Sequence, residues 1–209
     1  MTGAAIKAVL WDIGNVIVRW DPRTLYTKIF PDPAQRNWFL SQVCTLDWHA
    51  AHDRGVTFAE NRIPLIARFP QFEAEILAWE TRWPEMFSGP IPETETAIAA
   101  LAARGVDQFG VTNMSQETFG STIAMSPSFD YLKDYVVSGR DEVMKPDRAF
   151  FDLACRRFGV TPGACLFVDD SAKNIAAAHA LGFATHHYVD PADLWPGLSK
   201  LGLVPASRG

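Results

Sequence analysis

Four short polar clusters, each set directly after an apolar run, constrain this chain more than any other feature. Asp12 ends Ala8-Val9-Leu10-Trp11 and precedes the turn Ile13-Gly14-Asn15. Thr112-Asn113 ends Phe109-Gly110-Val111, Lys145-Pro146 follows Tyr135-Val136-Val137-Ser138, and Asp169-Asp170 ends Cys165-Leu166-Phe167-Val168. Short apolar runs bounded by turn residues read as buried strands. In open α/β sheets the chemistry sits beyond the carboxyl ends of such strands. The pattern therefore predicts a carboxylate, a hydroxyl, a cation and an acidic doublet converging on one edge of a parallel sheet.

Strands are predicted at about 6–11, 107–112, 135–138, 165–168 and 183–188, and helices at about 94–103, 116–124, 147–158 and 172–181. Gly105, Gly159 and Gly182 stand where helices commonly end. Strands alternating with helices argue for a parallel sheet with right-handed crossovers. From Arg19 to about Pro90 no β-branched run occurs, and helices are predicted instead at about 33–44, 46–54, 58–69 and 72–82. Thr57 with Glu60 makes a capping box for the third of these, and Pro64 inside it predicts a kink or a late start. Pro84, Gly89, Pro90 and Pro92 mark a boundary. The expected fold class is α/β: a doubly wound parallel sheet built from residues 1–18 plus 91–209, with a small helical insert at 19–90.

The 209 residues suffice for one sizeable core plus such an insert. A net charge of −5 and the lack of any basic run argue against nucleic acid or an anionic membrane as the main partner. A small phosphorylated substrate needs only local positive charge and stays compatible. No window offers 18 uncharged apolar residues, and residues 1–7 lack the basic start of a secretory leader. Cys44, Cys155 and Cys165 are odd in number and irregular in spacing, which reads as a reduced, cytoplasmic protein without a zinc-type pair. No pattern specifies an oligomeric state.

Each cluster has a chemical and a structural reading. Asp12 can attack phosphorus as a carboxylate nucleophile, or simply close a turn. Thr112 and Asn113 can bind a phosphate oxygen, or cap the following helix, where Ser115 also serves. Lys145 can hold nucleophile and phosphate as a point charge, or be a solvated lysine. Asp169 and Asp170 repel each other unless something positive intervenes, and magnesium with oxygen ligands is the simplest candidate. The doublet, or Ser171, can instead cap helix 172–181, with Lys173 neutralising part of it and Asn174 bonding back to it. Each structural reading is respectable singly. Four such signals at the ends of separate strands are harder to dismiss together.

Asp12-Ile13-Gly14-Asn15-Val16, Thr112-Asn113, Lys145-Pro146 and Asp169-Asp170-Ser171-Ala172-Lys173-Asn174 resemble motifs I to IV of the haloacid dehalogenase superfamily. Order and spacing match over nearly the whole chain, and the insert resembles that family's small C1 cap. The resemblance implies a magnesium-dependent hydrolase, a phosphoric monoester phosphatase working through an aspartyl-phosphate on a small phosphorylated metabolite such as a sugar phosphate. It implies Asp12 as nucleophile and metal ligand, Gly14 as metal ligand through its carbonyl, and Thr112 and Asn113 as binders of the phosphoryl group. Lys145 would neutralise that group, Asp170 would bind magnesium directly, and Asp169 directly or through water. The Asp-x-Gly-Asn-Val form resembles a branch holding α-D-glucose-1-phosphate phosphatase, whose cap carries a segment similar to His49-Ala50-Ala51-His52-Asp53-Arg54-Gly55.

Two departures matter. Most phosphatases of this family carry a second aspartate where this chain has Gly14, and a proton donor is worth about 10²–10⁴-fold. Water, His49 or His52 is a substitute, although packing in a helical bundle is the commoner fate of such histidines. Many relatives have glycine three residues ahead of the lysine, where this chain has Glu142, and Arg140-Asp141 is unusual there. Five of the seven tryptophans, Trp20, Trp38, Trp48, Trp79 and Trp83, fall in the insert. They suit a small bundle core, with Trp20 at the hinge the best exception. Two alternatives stand: a metal-free 2-haloacid dehalogenase using the same aspartate, with Arg19 or Arg23 clamping its substrate, and a family member that binds phosphate without turnover.

Overall fold

Strand β1 (Ala8–Trp11) is buried along its whole length, and the fold grows outward from it. The computed structural model describes residues 5–207, so residues 1–4 of the amino-terminal stretch read above lie outside the described residues. The remaining strands are β2 (Val18–Trp20), β3 (Phe87–Pro90), β4 (Asp107–Thr112), β5 (Tyr135–Val137), β6 (Cys165–Asp169) and β7 (Ala184–His187). The helices are α1 (Pro22–Ile29), α2 (Pro33–Gln42), α3 (Leu46–Asp53), α4 (Phe58–Arg68), α5 (Glu73–Thr81), α6 (Pro92–Ala103), α7 (Gln116–Ile123), α8 (Ser138–Asp141), α9 (Arg148–Phe158), α10 (Ala172–Ala180) and α11 (Leu194–Lys200).

The main sheet has five parallel strands in the order β5-β4-β1-β6-β7. Strands after β1 first build to one side and then to the other, so β1 lies at the switch point where such sheets open a crevice. Side chains alternate along it. Val9 and Trp11, with Leu166 and Val168 of β6, pack against α6, α7 and α11. Ala8 and Leu10, with Cys165 and Phe167, pack against α9 and α10. Helices thus cover both faces, as the sequence predicts. The buried Trp11 indole donates to Gln108 Oε1 at 3.0 Å and Gln108 Nε2 donates to the Ile98 carbonyl at 3.0 Å, so this polar pair sits in the core satisfied.

Residues 19–90 form a helical layer around a third apolar cluster that includes Leu25, Tyr26, Phe39, Phe58 and Trp79. The predicted capping box is present, with Thr57 accepting from the Glu60 amide, and α4 runs through Pro64. The expectation that this stretch holds no strand is corrected. β2 and β3 pair antiparallel in a two-stranded ribbon, too short to leave a periodic signal. Helix α1 was also missed, although Asp21 caps it and Pro22 opens it, and so was α11. Ser138, read as a strand residue, begins α8 instead.

Insert and sheet meet closely. The Phe58 amide donates to Glu117 Oε2 at 2.8 Å and the Trp83 indole donates to Thr122 Oγ1 at 3.0 Å, both across to α7. Gly55, at φ +94°, faces Gly139 so tightly that a Cβ would lie 3.1 Å from its carbonyl oxygen. The turn after α3 is thereby pressed against α8, beside the carboxyl edge of the sheet.

Candidate active site

At the end of β1 the Asp12 amide donates to the Val168 carbonyl at 2.9 Å, continuing the ladder toward Asp169. The chain then turns through Asn15, a non-glycine residue at φ +58° whose Oδ1 accepts from the Trp20 amide at 3.0 Å. Asparagine tolerates this left-handed position. The turn leaves Asp12 at the mouth of the crevice between β4 and β6.

Lys145 is the centre of the site. Its ammonium reaches Asp12 Oδ1 at 2.9 Å, Asp169 Oδ2 at 2.7 Å and the Val111 carbonyl at 3.1 Å. An ammonium has three protons, and all three are engaged. Burial alone would lower this lysine, but the Asp12 and Asp169 carboxylates hold it raised. Burial pushes the Asp12 carboxyl up, Lys145 pulls it down, and Asp169 and Asp170 push it up again. Asp12 Oδ1 also accepts from the Ile13 amide at 2.7 Å, whereas its other oxygen accepts nothing from the described residues.

The acidic doublet divides into two different residues. Asp169 is fully buried; beyond Lys145 it accepts from Asn174 Nδ2 at 2.9 and 3.1 Å and from the Ser171 amide at 2.8 Å. Asp170 is exposed. Neither caps α10 from its own N-cap position: Ser171 holds that place without a side-chain bond. Carboxylate oxygens of Asp12, Asp169 and Asp170 lie within 4.8 Å of one another.

Thr112 is buried, and its hydroxyl makes no hydrogen bond among the described residues. Asn113 is otherwise occupied. Its amide donates to the Lys145 carbonyl at 2.9 Å and accepts from the Lys145 amide at 2.9 Å, clamping the lysine's backbone. Of the two side chains, the Thr112 hydroxyl is therefore the one left free for another partner. Asp12, Gly14, Thr112, Asn113, Lys145 and Asp170 line one cavity of about 270 Å³, and Asp169 stands behind Lys145. A larger cavity of about 860 Å³ adjoins it through Asn15, Trp20 and Leu46, with Arg19, Arg23 and Trp38 in its wall.

The unusual Arg140-Asp141-Glu142 stretch gains a physical account. Asp141 accepts a two-pronged contact from Arg157 at 2.8 Å each, as well as bonds from Arg140 and the Val137 amide. Glu142 ends α8 at φ +56°. That left-handed position favours glycine, which explains why glycine suits it elsewhere.

The insert adds one residue that the sequence did not single out, Asp53. It lines the smaller cavity with His49, one helical turn away on α3, and His52, the other histidine read from the sequence, lies behind them. Asn61 Nδ2 donates to the Trp48 carbonyl at 2.9 Å, so the same amide donates to His52 Nε2 at 2.9 Å. The His52 proton is then on Nδ1, 3.4 Å from His49 Nδ1, which also accepts from the Trp79 indole at 3.2 Å. This network assigns the His49 proton to Nε2, which faces Asp53 Oδ1 at 3.7 Å. Burial, and for His49 the neighbouring His52, lowers the two histidines to about 3 and about 4. Both are neutral at ordinary pH, and His49 packs against Trp20 and Trp83 at ring separations of 5.4 and 5.7 Å, the two indoles also touching each other at 5.9 Å. Burial raises the Asp53 carboxyl to about 7, against the pull of Arg54 and Lys145. The signal for Asp53 was its spacing of four from His49, which is hard to read without knowing which face of α3 looks inward.

Trp48, Trp79 and Trp83 help fill the insert's core, as expected, while Trp38 is exposed at the larger cavity. Trp20 lines both cavities, and its indole N–H is buried without a partner.

The model of the haloacid dehalogenase-like hydrolase family matches residues 6–182. A sesquiterpene phosphatase of Aspergillus oryzae is 21% identical over 184 residues, 88% of this chain and 90% of that protein. A haloacid dehalogenase family enzyme of Bacteroides thetaiotaomicron, solved with magnesium and inorganic phosphate, superposes with a TM-score of 0.68 at 20% identity, covering 91% of this chain and all of that one. The L-2-haloacid dehalogenase of Xanthobacter autotrophicus, solved with chloropropionic acid covalently bound, superposes at 0.62 with 19% identity, covering 96% of this chain and 85% of the other. At these identities the two superpositions speak for a shared fold.

Proposed function

This chain belongs to the haloacid dehalogenase-like hydrolases, and from that premise we propose that it is a magnesium-dependent phosphatase of small phosphate monoesters, with residues 19–90 as a C1-type cap. The observation that carries this reading is the buried Lys145, held at once by Asp12 and Asp169, with three carboxylates gathered within 4.8 Å. One lysine does not balance three carboxylates. An all-oxygen donor set suits a hard divalent ion, and magnesium is such an ion. Asp12, Asp170 and the Gly14 carbonyl would hold it. Asp169 already receives Lys145, Asn174 and the Ser171 amide, so it would support the site from behind the lysine. Bound there, magnesium would offset charge on the transferring phosphoryl group and orient it.

The chain's own residues do the rest. Lys145 opposes protonation of Asp12, anchors it, and offers positive charge where two anions must approach. Asp12 attacks phosphorus in line and forms an acyl-phosphate. The Thr112 hydroxyl is free to bond a phosphoryl oxygen, and Asn113 fixes the backbone of Lys145. The cap covers the crevice and limits water. The adjoining cavity of about 860 Å³ receives the leaving group. The phosphatase name of the Aspergillus oryzae relative supports this reading, as do magnesium and phosphate in the Bacteroides enzyme. A sugar phosphate remains our expectation for the substrate, from the likeness to the glucose-1-phosphate phosphatase branch.

A second reading, 2-haloacid dehalogenase, draws on Arg19 and Arg23 in the wall of the adjoining cavity. Against it stands the exposed Asp170 beside Asp12, which would repel a substrate carboxylate. Phosphate and chloride release should be measured over a panel of phosphate monoesters and 2-haloacids, with magnesium and with EDTA. Phosphate release that EDTA stops and Asp12→Asn abolishes supports the proposal. Chloride release without metal, and no phosphate from any ester, would replace it with the second reading.

A further inference from the structure

Resting on the phosphatase reading, we infer that Asp53 of the cap is the proton donor to the leaving oxygen and the base for the water that follows. Four observations converge on it. First, the turn after the nucleophile supplies no acid. Gly14 has no side chain, and a Cβ built on it meets nothing within 4 Å, so the space below the cap is open. Second, in-line attack by Asp12 places the leaving oxygen on the side of phosphorus away from the sheet. That side is the cap, where the cavity presents two ionisable side chains among the described residues, His49 and Asp53. Third, His49 is no acid: its Nδ1 accepts from the Trp79 indole, and burial against Trp20 and Trp83 keeps it neutral.

Fourth, Asp53 Oδ1 is buried without a hydrogen-bond partner, an expensive arrangement for an ionised carboxylate. A protein tolerates such an atom where a ligand will meet it or where the group is protonated. Burial holds the Asp53 carboxyl at about 7, so it carries a proton part of the time at neutral pH, which is where an acid that must also act as a base works best. The contacts from Asn61 through His52 hold His49, whose Nε2 stands 3.7 Å from Asp53 Oδ1, and the contact of Gly55 with Gly139 keeps the end of α3 beside the crevice. His49 and His52 thus shape the surroundings of Asp53 without bonding to it.

The steps balance. Asp12 forms a bond to phosphorus as the ester P–O bond breaks, and the departing oxygen takes the Asp53 proton. Water then attacks the acyl-phosphate and gives its proton to the Asp53 carboxylate. The Asp12–phosphorus bond breaks, phosphate leaves, and both aspartates return to their starting states.

The test compares two leaving groups. p-Nitrophenolate departs as a stable anion and needs no proton, whereas an alkoxide does. Asp53→Asn, whose fold is checked by circular dichroism and thermal unfolding, should lower kcat/KM for the best alkyl phosphate of a panel by about 10²-fold or more. For p-nitrophenyl phosphate the loss should be at least tenfold smaller. Equal losses on both esters, or no loss on either, would overturn the inference while leaving the phosphatase reading intact. No phosphate from either ester with the wild type sinks both. If the variant does not fold, the wild type decides alone. The charged or titratable groups around Asp53 are His49, Arg54, Lys145, Glu142 and Asp147, together with Asp12 and Asp170 across the cavity. With alkyl phosphate, kcat/KM should fall on a basic limb near pH 7 that is weaker or missing with p-nitrophenyl phosphate. Identical limbs for the two esters refute it.

Discussion

Replacing Lys145 with methionine keeps an unbranched side chain of similar bulk and removes the one charge that holds the site together. The ammonium lies 2.9 Å from Asp12 and 2.7 Å from Asp169. At an effective dielectric of about 20, each contact is worth roughly 6 kcal/mol of gross attraction. Most of that is offset by the desolvation of three buried groups, and breaking such a pair typically destabilises by about 3–5 kcal/mol. The loss is a large share of the roughly 5–15 kcal/mol that stabilises an ordinary domain. Removing the lysine also withdraws the pull that opposes burial at Asp12. Its carboxyl therefore rises further above the unfolded value of about 3.9. A carboxyl raised by folding binds its proton more tightly in the native state, so stability falls as pH climbs through the gap between the two values. The variant should thus gain stability relative to the wild type on going from about pH 7 to pH 5. Magnesium should also stabilise it, since an added cation replaces part of the missing charge. Urea unfolding in EDTA, at pH 5 and 7, and again with magnesium, measures all three effects. A variant within about 1 kcal/mol of the wild type at pH 7 in EDTA, with an unchanged pH slope, would refute this account of the site.

Other outcomes follow from particular residues. Asp12→Asn should leave the fold intact and lower phosphate release by about 10³-fold or more, read by malachite green, because the attacking oxygen is gone. Glu142→Gly relieves a left-handed φ of +56° and should raise stability by up to about 1 kcal/mol in urea, the greater freedom of unfolded glycine offsetting part of the gain. Gly139→Ala should destabilise by about 1–3 kcal/mol, since its Cβ would lie 2.9 Å from the Met114 carbonyl oxygen and 3.0 Å from the Ser115 Cα, both backbone. Burial acts to raise Asp141, but Arg157, Arg140 and the Val137 amide outweigh it and hold that carboxyl at about 2. A folded value below the unfolded one contributes stability above about pH 4 that is lost as pH falls toward 2. Asp141→Asn should remove that component from a series of urea melts between pH 5 and 2.5, and an unchanged slope would count against it.

Much of the core was legible because its signals are local. Each buried strand is a short apolar run, each following polar cluster sits at its carboxyl end, and glycines at 105, 159 and 182 close the helices. That pattern alone places Asp12, Thr112, Lys145 and the doublet at one sheet edge, because parallel strands all present the same end. What it leaves undecided is how equal-looking residues differ. Asp169 and Asp170 are neighbours in sequence, yet one is buried under Lys145 and Asn174 and the other is exposed, since successive side chains leave a strand in opposite directions. Asn113 clamps the lysine's backbone, a contact between residues 32 apart. The ribbon of β2 and β3 joins segments too short to show a period, and its partners lie some seventy residues apart along the chain. Asp53 was invisible for the same reason. A carboxylate on an amphipathic helix is ordinarily solvated, and only the packing of α3 against α8 and the approach of His49 leave this one half-buried, with one oxygen unpaired, in the wall of the cavity that Asp12 also lines. Sequence determined the strand ends and the chemistry they carry. The tertiary structure decided which charges lose water and which partners they find, because desolvation depends on neighbours the chain brings from afar.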